Sequence, residues 1–293
     1  MKVLITGAGG QLAWELARSA PNSIDLIYAT STELNICDEV AVNNYLKQHK
    51  PNAIINTAAY TAVDKAEEER DKAYAVNRDG VANLAKACGT DIYLLHISTD
   101  FVFDGLSTKP LTSKDIAKPL SVYGASKYAG EQALEQYCKA PWAIIRTAWL
   151  YSSYGNNFVK SMLRFMNERE QLNIVADQIG TPTWAHGLAQ SCWACIADKT
   201  EGLYHWSDAG VASWYDFAEM IQSKALELKL LDKKCKIKAI TTKDYPVPAK
   251  RPAFSVLDKS EILAKHPQLE NQHWQSQLNA MLTELSKQQH KES

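Results

Sequence analysis

The chain opens with KVLITGAGGQLAWELA, an apolar strand-like run that passes through a glycine-rich turn directly into a helical pattern, and no other stretch restricts the fold as much. Glycine at Gly7 allows a tight turn, and Gly10 lets the backbone approach a pyrophosphate. The small side chain of Ala13 permits close helix packing, and the amides and dipole of the helix N-terminus favour a bound anion. A glycine-rich turn is weak by itself, but between the first strand and first helix of a βαβ series it predicts a dinucleotide site. Gly7, Gly9, Gly10, Gln11 and Leu12 are the cofactor candidates of this loop.

The first half continues in the same rhythm. Apolar runs at Lys2–Thr6, Asp25–Thr30, Asn52–Ala58, Asp91–Ser98 and Trp142–Thr147 alternate with helical patterns near Gln11–Ser19, Val40–Gln48, Asp71–Cys88 and Tyr123–Tyr137. Several of the runs are apolar on both alternations, as strands covered on both faces must be. This predicts an α/β fold with a Rossmann-like, doubly wound parallel sheet. After about Trp149 proline and glycine become frequent, as in QIGTPTW and YPVPAKRP, and the pattern loosens toward a smaller α+β substrate-binding lobe. The expected division is a dinucleotide-binding domain over 1–150, with about 180–208 packing back onto it, and a substrate lobe over 151–179 and 209–293.

Composition narrows the function. A chain of 293 residues, 46% hydrophobic, can bury a large core, and a net charge of -1 with interspersed signs argues against nucleic-acid or membrane-surface partners. Met1 leads straight into KVLITG without a signal-peptide succession, and no apolar run would span a bilayer, so the expected location is cytoplasmic. The six cysteines read as reduced thiols. CWAC at Cys192–Cys195 falls inside a helical pattern, without the preceding strand of a redox motif or a second pair for zinc. The seven histidines show no ligand spacing, so no catalytic metal is expected.

The chemistry comes from YGASK. On a helix Tyr123 and Lys127 lie one turn apart on one face, where a phenol and an ammonium can act on one bound molecule. A proton donor and hydrogen bonds aimed at an oxygen are what a carbonyl needs as a hydride arrives. Tyr123 can donate such a proton, and Lys127 close by can lower its pKa. At the end of the second predicted strand, Ala29, Thr30 and Ser31 offer neither an acid nor an arginine to the adenosine ribose. Hydroxyls there tolerate a 2′-phosphate, which leans the reading to NADPH with NADH usable.

The strand, loop, Tyr and Lys follow the order of the extended short-chain dehydrogenase/reductase superfamily. GAGGQLA, NTAAYTAVDKAE, HISTDFVFDG, VYGASKYAGE, RTAWLY, GNNFVKSMLR, GLYHWSD and PAKRPAFSVLD together resemble the dTDP-4-dehydrorhamnose reductases over most of the chain. The resemblance implies reduction of the 4-ketone of a dTDP-sugar to give dTDP-L-rhamnose, with Tyr123, Lys127 and Thr99 catalytic and Lys127 also holding the nicotinamide ribose. It implies cofactor contacts at Ala58, Ala59, Tyr60 and Asp38, and substrate contacts at Asp100, Trp149, Asn157 and Arg251. Tyr60 stands where many relatives have His, and Phe101 where Tyr is common. For Asp38 and Asn157 a helix cap is the competing role. Some relatives dimerise through Mg²⁺ held by acidic side chains. Here Glu15 and Glu284 could supply two, but His186 stands where an acid is expected, which leaves Mg²⁺ and a homodimer open. The rival readings are another nucleotide-sugar ketoreductase or epimerase, and a non-catalytic subunit resembling the regulatory subunit of methionine adenosyltransferase.

Overall fold

The computed structural model describes residues 1–292, with side chains through Gln288. Strands β1 (Lys2–Thr6), β2 (Asp25–Ala29), β3 (Ala53–Asn56), β4 (Tyr93–Thr99) and β5 (Trp142–Thr147) alternate with helices α1 (Gln11–Arg18), α2 (Glu39–His49), α3 (Arg70–Tyr74), α4 (Gly80–Ala87) and α5 (Val122–Tyr137). The second half holds β6 (Leu150–Tyr151), β7 (Gln171–Val175), β8 (Ile179–Gly180), β9 (Thr183–Trp184), β10 (Gly202–His205), β11 (Ala212–Ser213) and β12 (Lys236–Ile240). Its helices are α6 (Phe158–Glu168), α7 (Ala185–Asp198), α8 (Trp214–Glu227), α9 (Ser260–Lys265) and α10 (Trp274–Glu292).

The main sheet has six strands in the order β10-β5-β4-β3-β1-β2, and every pairing in it is parallel. The chain winds from β1 to β2 on one side and to β3 on the other, which opens a crevice above the carboxyl ends of β1 and β3. Strand alternation explains the double burial: Val3 and Ile5 pack with Leu12 and Leu16 of α1 and Leu188 and Cys192 of α7. Leu4 and Ile54 face the other way, against Val42 and Leu46 of α2 and Val81 and Leu84 of α4. A separate core forms in the second half, where Met162 of α6, Phe217 and Ile221 of α8 and Leu278 of α10 meet. Cys192 and Cys195 are free thiols on the buried face of α7. No described helix is long and apolar enough to cross a membrane.

Two features differ from the expected elements. The edge strand β10 escapes periodicity because it has four residues, three of them only partly buried. The continuous helix expected over Asp71–Cys88 is interrupted by a π-helical turn at Ala75–Asp79. The widened turn packs tightly against α5, where Gly130 sits so close that a Cβ there would collide with the Asn77 carbonyl oxygen. Widened turns of this kind are frequent at functional positions, and this one aims Asn77 at two segments of the crevice.

Candidate active site

A cavity of about 450 Å³ opens over the crevice. Its walls bring together Gly9, Gly10, Gln11 and Leu12, Ala59 after β3, Thr99 and Asp100 at the end of β4, Tyr123 and Lys127 of α5, and Trp149 after β5. These residues are scattered over most of the first half of the chain, and the parallel winding collects them at one sheet edge.

Gly7 has φ +72°, and a Cβ there would lie 2.8 Å from the backbone of Ala58, so only glycine lets the first turn pass β3 this closely. Gly10 caps α1 without any side chain, leaving none to compete for the first-turn amides, and the space beside Gly9 is open. Helix α5 begins at Ser121, whose Oγ accepts from the Gly124 amide at 3.2 Å, while the Val122 amide donates to Glu67 at 2.8 Å. A Cβ on Gly124 would strike the Phe101 carbonyl, so this glycine lets α5 press against the end of β4. Tyr123 then meets the Phe101 ring edge-on, with centroids 5.4 Å apart. Asn77 joins both walls: its Oδ1 accepts from the Tyr60 amide at 2.8 Å, and its Nδ2 donates to the Tyr60 carbonyl at 3.0 Å and to Ser126 Oγ at 2.9 Å.

The expected depression of the Tyr123 pKa by Lys127 is not what the site displays. Burial pushes the phenol up to about 12, contact with Thr99 pulls it down and Asp100 raises it again. Burial lowers Lys127 to about 8 against the opposing pull of Glu131, and its Nζ turns to the Ile97 carbonyl at 2.7 Å. Thr99 accepts from the Phe101 amide and donates to Asp100 Oδ1, each at 3.2 Å. Asp100 is almost wholly buried, its carboxyl pushed up to about 6 by burial against the opposing pull of Ser255 and Thr99, and its Oδ2 has no hydrogen-bond partner of good geometry. The buried Oγ1 of Thr147, on the same cavity wall, also lacks one.

Several anticipated contacts lie elsewhere. Gly7 and Ala58 shape the turn behind the cavity and do not line it. Tyr60 points outward, its hydroxyl donating to Glu69 at 2.8 Å. Asp38 caps α2, its Oδ1 accepting from the Val40 and Ala41 amides at 2.9 Å. Asn157 caps α6 through Oδ1 and ties its Nδ2 to Gln11 and Ser152, so its amide holds the loop in place instead of lining the cavity. Arg251 borders a second cavity of about 340 Å³, and its fork is closed on Asp64 at 2.8 and 3.1 Å. Thr30 also lies off the cavity, and the loop after β2 is not free of acid: Glu33 Oε2 accepts from the Thr30 amide and Oγ1, both at 2.8 Å.

Sequence reading missed Glu33, Asn77, Thr147 and Trp214. The indole of Trp214 stacks on Trp149 with centroids 3.6 Å apart, and the pair stands between the two cavities. Trp149 adopts φ +45°, a strained value for a bulky residue, and its ring lies over Gly180 where no side chain would fit. A capping box at Ser213 and Asp216 fixes the helix start that carries Trp214, and Ser213–Asp216 spacing was the available signal.

Glu15 and Glu284 do approach each other, but around a guanidinium. Arg18 Nε lies 2.5 Å from Glu15 and its Nη1 2.8 Å from Glu284, with His186 Nδ1 3.5 Å from Glu15. Within one chain both carboxylates are thus engaged by Arg18, and among the described residues no group of three His, Cys, Asp or Glu could hold a metal.

Residues 1–287 match the family model described as RmlD substrate binding domain. The chain is 44% identical over 272 residues to the dTDP-4-dehydrorhamnose reductase of Aggregatibacter actinomycetemcomitans, covering 89% of this chain and 92% of that protein. A dTDP-4-dehydrorhamnose reductase structure from Clostridium acetobutylicum superposes with TM-score 0.90 at 39% identity, covering 97% of this chain and 99% of that one. The Bacillus anthracis reductase, solved in complex with NADP, gives TM-score 0.90 at 36% identity over the same shares of the two chains.

Proposed function

The chain belongs to the dTDP-4-dehydrorhamnose reductase family, and from that membership we propose that it reduces the 4-ketone of dTDP-4-dehydro-L-rhamnose with NADPH, Tyr123 supplying the proton. The observation that carries the reading is the meeting of Tyr123, Lys127 and Thr99 with the glycine loop on the wall of one cavity. The uncapped, open turn at Gly9 and Gly10 fits a dinucleotide pyrophosphate. NADPH, when bound, supplies the hydride.

The chain's own groups do the rest. Tyr123, kept a neutral phenol by burial, is in the form that can give its proton to the ketone oxygen. Thr99 adds a hydrogen bond to that oxygen, and Lys127 holds the ribose side of the site. The partnerless oxygens of Asp100 and Thr147 suit the hydroxyls of a sugar ring. The Trp149–Trp214 stack then separates a sugar compartment from the second cavity. Phe158, Phe165 and Tyr245 give that cavity flat apolar walls for a pyrimidine, with Arg251 at its edge. The separate cores support a nucleotide-binding part over 1–150, joined by about 180–208, and a substrate lobe over 151–179 and 209–293, except that Ile262 of α9 packs in the first core and Trp184 in the second.

The test follows NADPH absorbance with dTDP-4-dehydrorhamnose supplied by upstream enzymes, and identifies the product. Stoichiometric NADPH loss with formation of dTDP-L-rhamnose supports the reading. Isomerised sugar without net oxidation of the cofactor would make the protein an epimerase, and absence of both would remove catalysis.

A further inference from the structure

Beneath the catalytic face, three buried polar side chains cross the sheet in register. Thr6 of β1 pairs with Asn56 of β3, and Asn56 with His96 of β4, so their side chains form one rung in an otherwise apolar layer. Thr6 Oγ1 donates to Asn56 Oδ1 at 2.7 Å, Asn56 Nδ2 lies 3.0 Å from His96 Nδ1, and His96 Nε2 lies 3.3 Å from Lys127 Nζ. The rung ends on the lysine of the YGASK pair.

The direction of these bonds is fixed at one end. The Ala58 amide also meets Asn56 Oδ1, at 3.2 Å, and a backbone N–H can only donate, so that atom is the oxygen and its neighbour the NH₂. Nδ2 must then donate, which makes His96 Nδ1 a lone pair and leaves the ring proton on Nε2. Burial holds the ring neutral, and the Lys127 charge adds to that effect. An Nε2–H therefore faces Nζ. An ammonium has no lone pair to accept it, whereas an amine has one.

We propose that His96 is a positioning residue of the reaction: its Nε2–H, oriented by the Thr6–Asn56 rung, opposes the ammonium form of Lys127 and makes Nζ readier to release a proton toward Tyr123. The proposal rests on the reductase reading. Hydride and proton add across C=O, the proton leaving Tyr123 Oη; a proton from Lys127 Nζ restores the phenol, and solvent recharges the lysine. Besides His96, the ionisable group acting on Nζ is Glu131 on α5; Tyr123 and Asp100 share the cavity wall with Lys127, and Arg146 on β5 is bound to Glu131. Glu131 favours the ammonium, but its carboxylate is engaged by Arg146, at 2.9 Å to Nε, and by Ser98.

The test uses the full chain labelled with ¹⁵N-histidine and ¹³C-lysine, the Lys127 signal being assigned by its loss in Lys127→Met. In wild type, His96 should show the Nε2–H tautomer. His96→Asn keeps an oxygen for Asn56 Nδ2 and removes the group facing Nζ. The Lys127 titration midpoint should then rise by about one pH unit, about tenfold in proton affinity. The alkaline limb of kcat should move the same way, with KM for NADPH little changed. If His96→Asn does not fold, His96→Gln sets an amide oxygen near Nζ and should shift the midpoint with the same sign. A wild-type Nδ1–H tautomer, or an unmoved lysine midpoint in the folded variant, overturns the proposal. Because the titration is read without substrate, loss of the reductase reading alone would leave it visible.

Discussion

Replacing Tyr123 by Phe removes one oxygen and leaves the ring, and the structure separates what this does to folding from what it does to catalysis. The ring is 9% exposed and keeps its edge-on packing against Phe101, so the fold loses only the hydroxyl's contact with Thr99, about 1 kcal/mol or less. The reaction loses its general acid, a change of about 10²–10⁴-fold in kcat, or about 3–5 kcal/mol in the barrier. Binding of the cofactor and sugar does not depend on that oxygen, so both KM values should stay within about threefold. Steady-state NADPH oxidation with the keto-sugar, beside thermal melts of both proteins, reads the two effects separately. Because burial pushes the phenol up to about 12, the acid form persists across neutral pH and the deficit should be constant there. A variant with wild-type kcat refutes the proton-donor role, and a loss of activity matched by collapse of the melt would assign the effect to folding.

Three further outcomes test other parts of the molecule. Asp208 is buried with Oδ2 accepting the Trp184 amide at 3.0 Å, and burial raises its carboxyl from 3.8 to about 8. Between those values the unfolded chain binds fewer protons than the folded one, so this group makes stability fall as pH rises through the window. Asp208→Asn keeps the acceptor and should flatten that slope and melt higher than wild type at pH 9; parallel melting curves would refute it. Trp214→Ala removes the indole face against Trp149 and should raise KM for the nucleotide-sugar about tenfold, with kcat less affected, and an unchanged KM would place the nucleotide elsewhere. Glu33→Gln removes an anion beside Thr30 and should raise the NADPH-to-NADH ratio of kcat/KM about threefold to tenfold; an unaltered ratio would mean that the loop does not face the ribose phosphate.

The parts of this site written in neighbouring residues were legible in the sequence, and those made by distant residues were not. Lys2–Thr6 and Trp142–Thr147 have the expected bounds because an apolar run between turn residues needs no tertiary partner to be recognised. Gly9, Gly10, Thr99, Tyr123 and Lys127 share a cavity because each sits at a strand end or helix start that local pattern already marks. Asn77 was invisible: its role arises in a π turn packed against Gly130, fifty-three residues away in sequence, counting from 77 to 130. His96 hid inside an apolar run, where only the in-register pairing with Asn56 reveals its partners. Arg251 was expected to contact substrate, but sequence could not disclose that Asp64 already engages its guanidinium fork. Likewise, the lysine beside a phenol suggested a lowered pKa, whereas the depth of both groups sets the outcome.

Two indoles lying face to face at 3.6 Å, tilted by only 8°, form a coupled chromophore as well as a partition. Their transitions mix, so the pair should give a split circular-dichroism band in the far ultraviolet and a quenched share of the fluorescence. Any ligand that slides against either ring perturbs both signals at once. Occupancy on the two sides of the partition can thus be followed optically in the unlabelled protein.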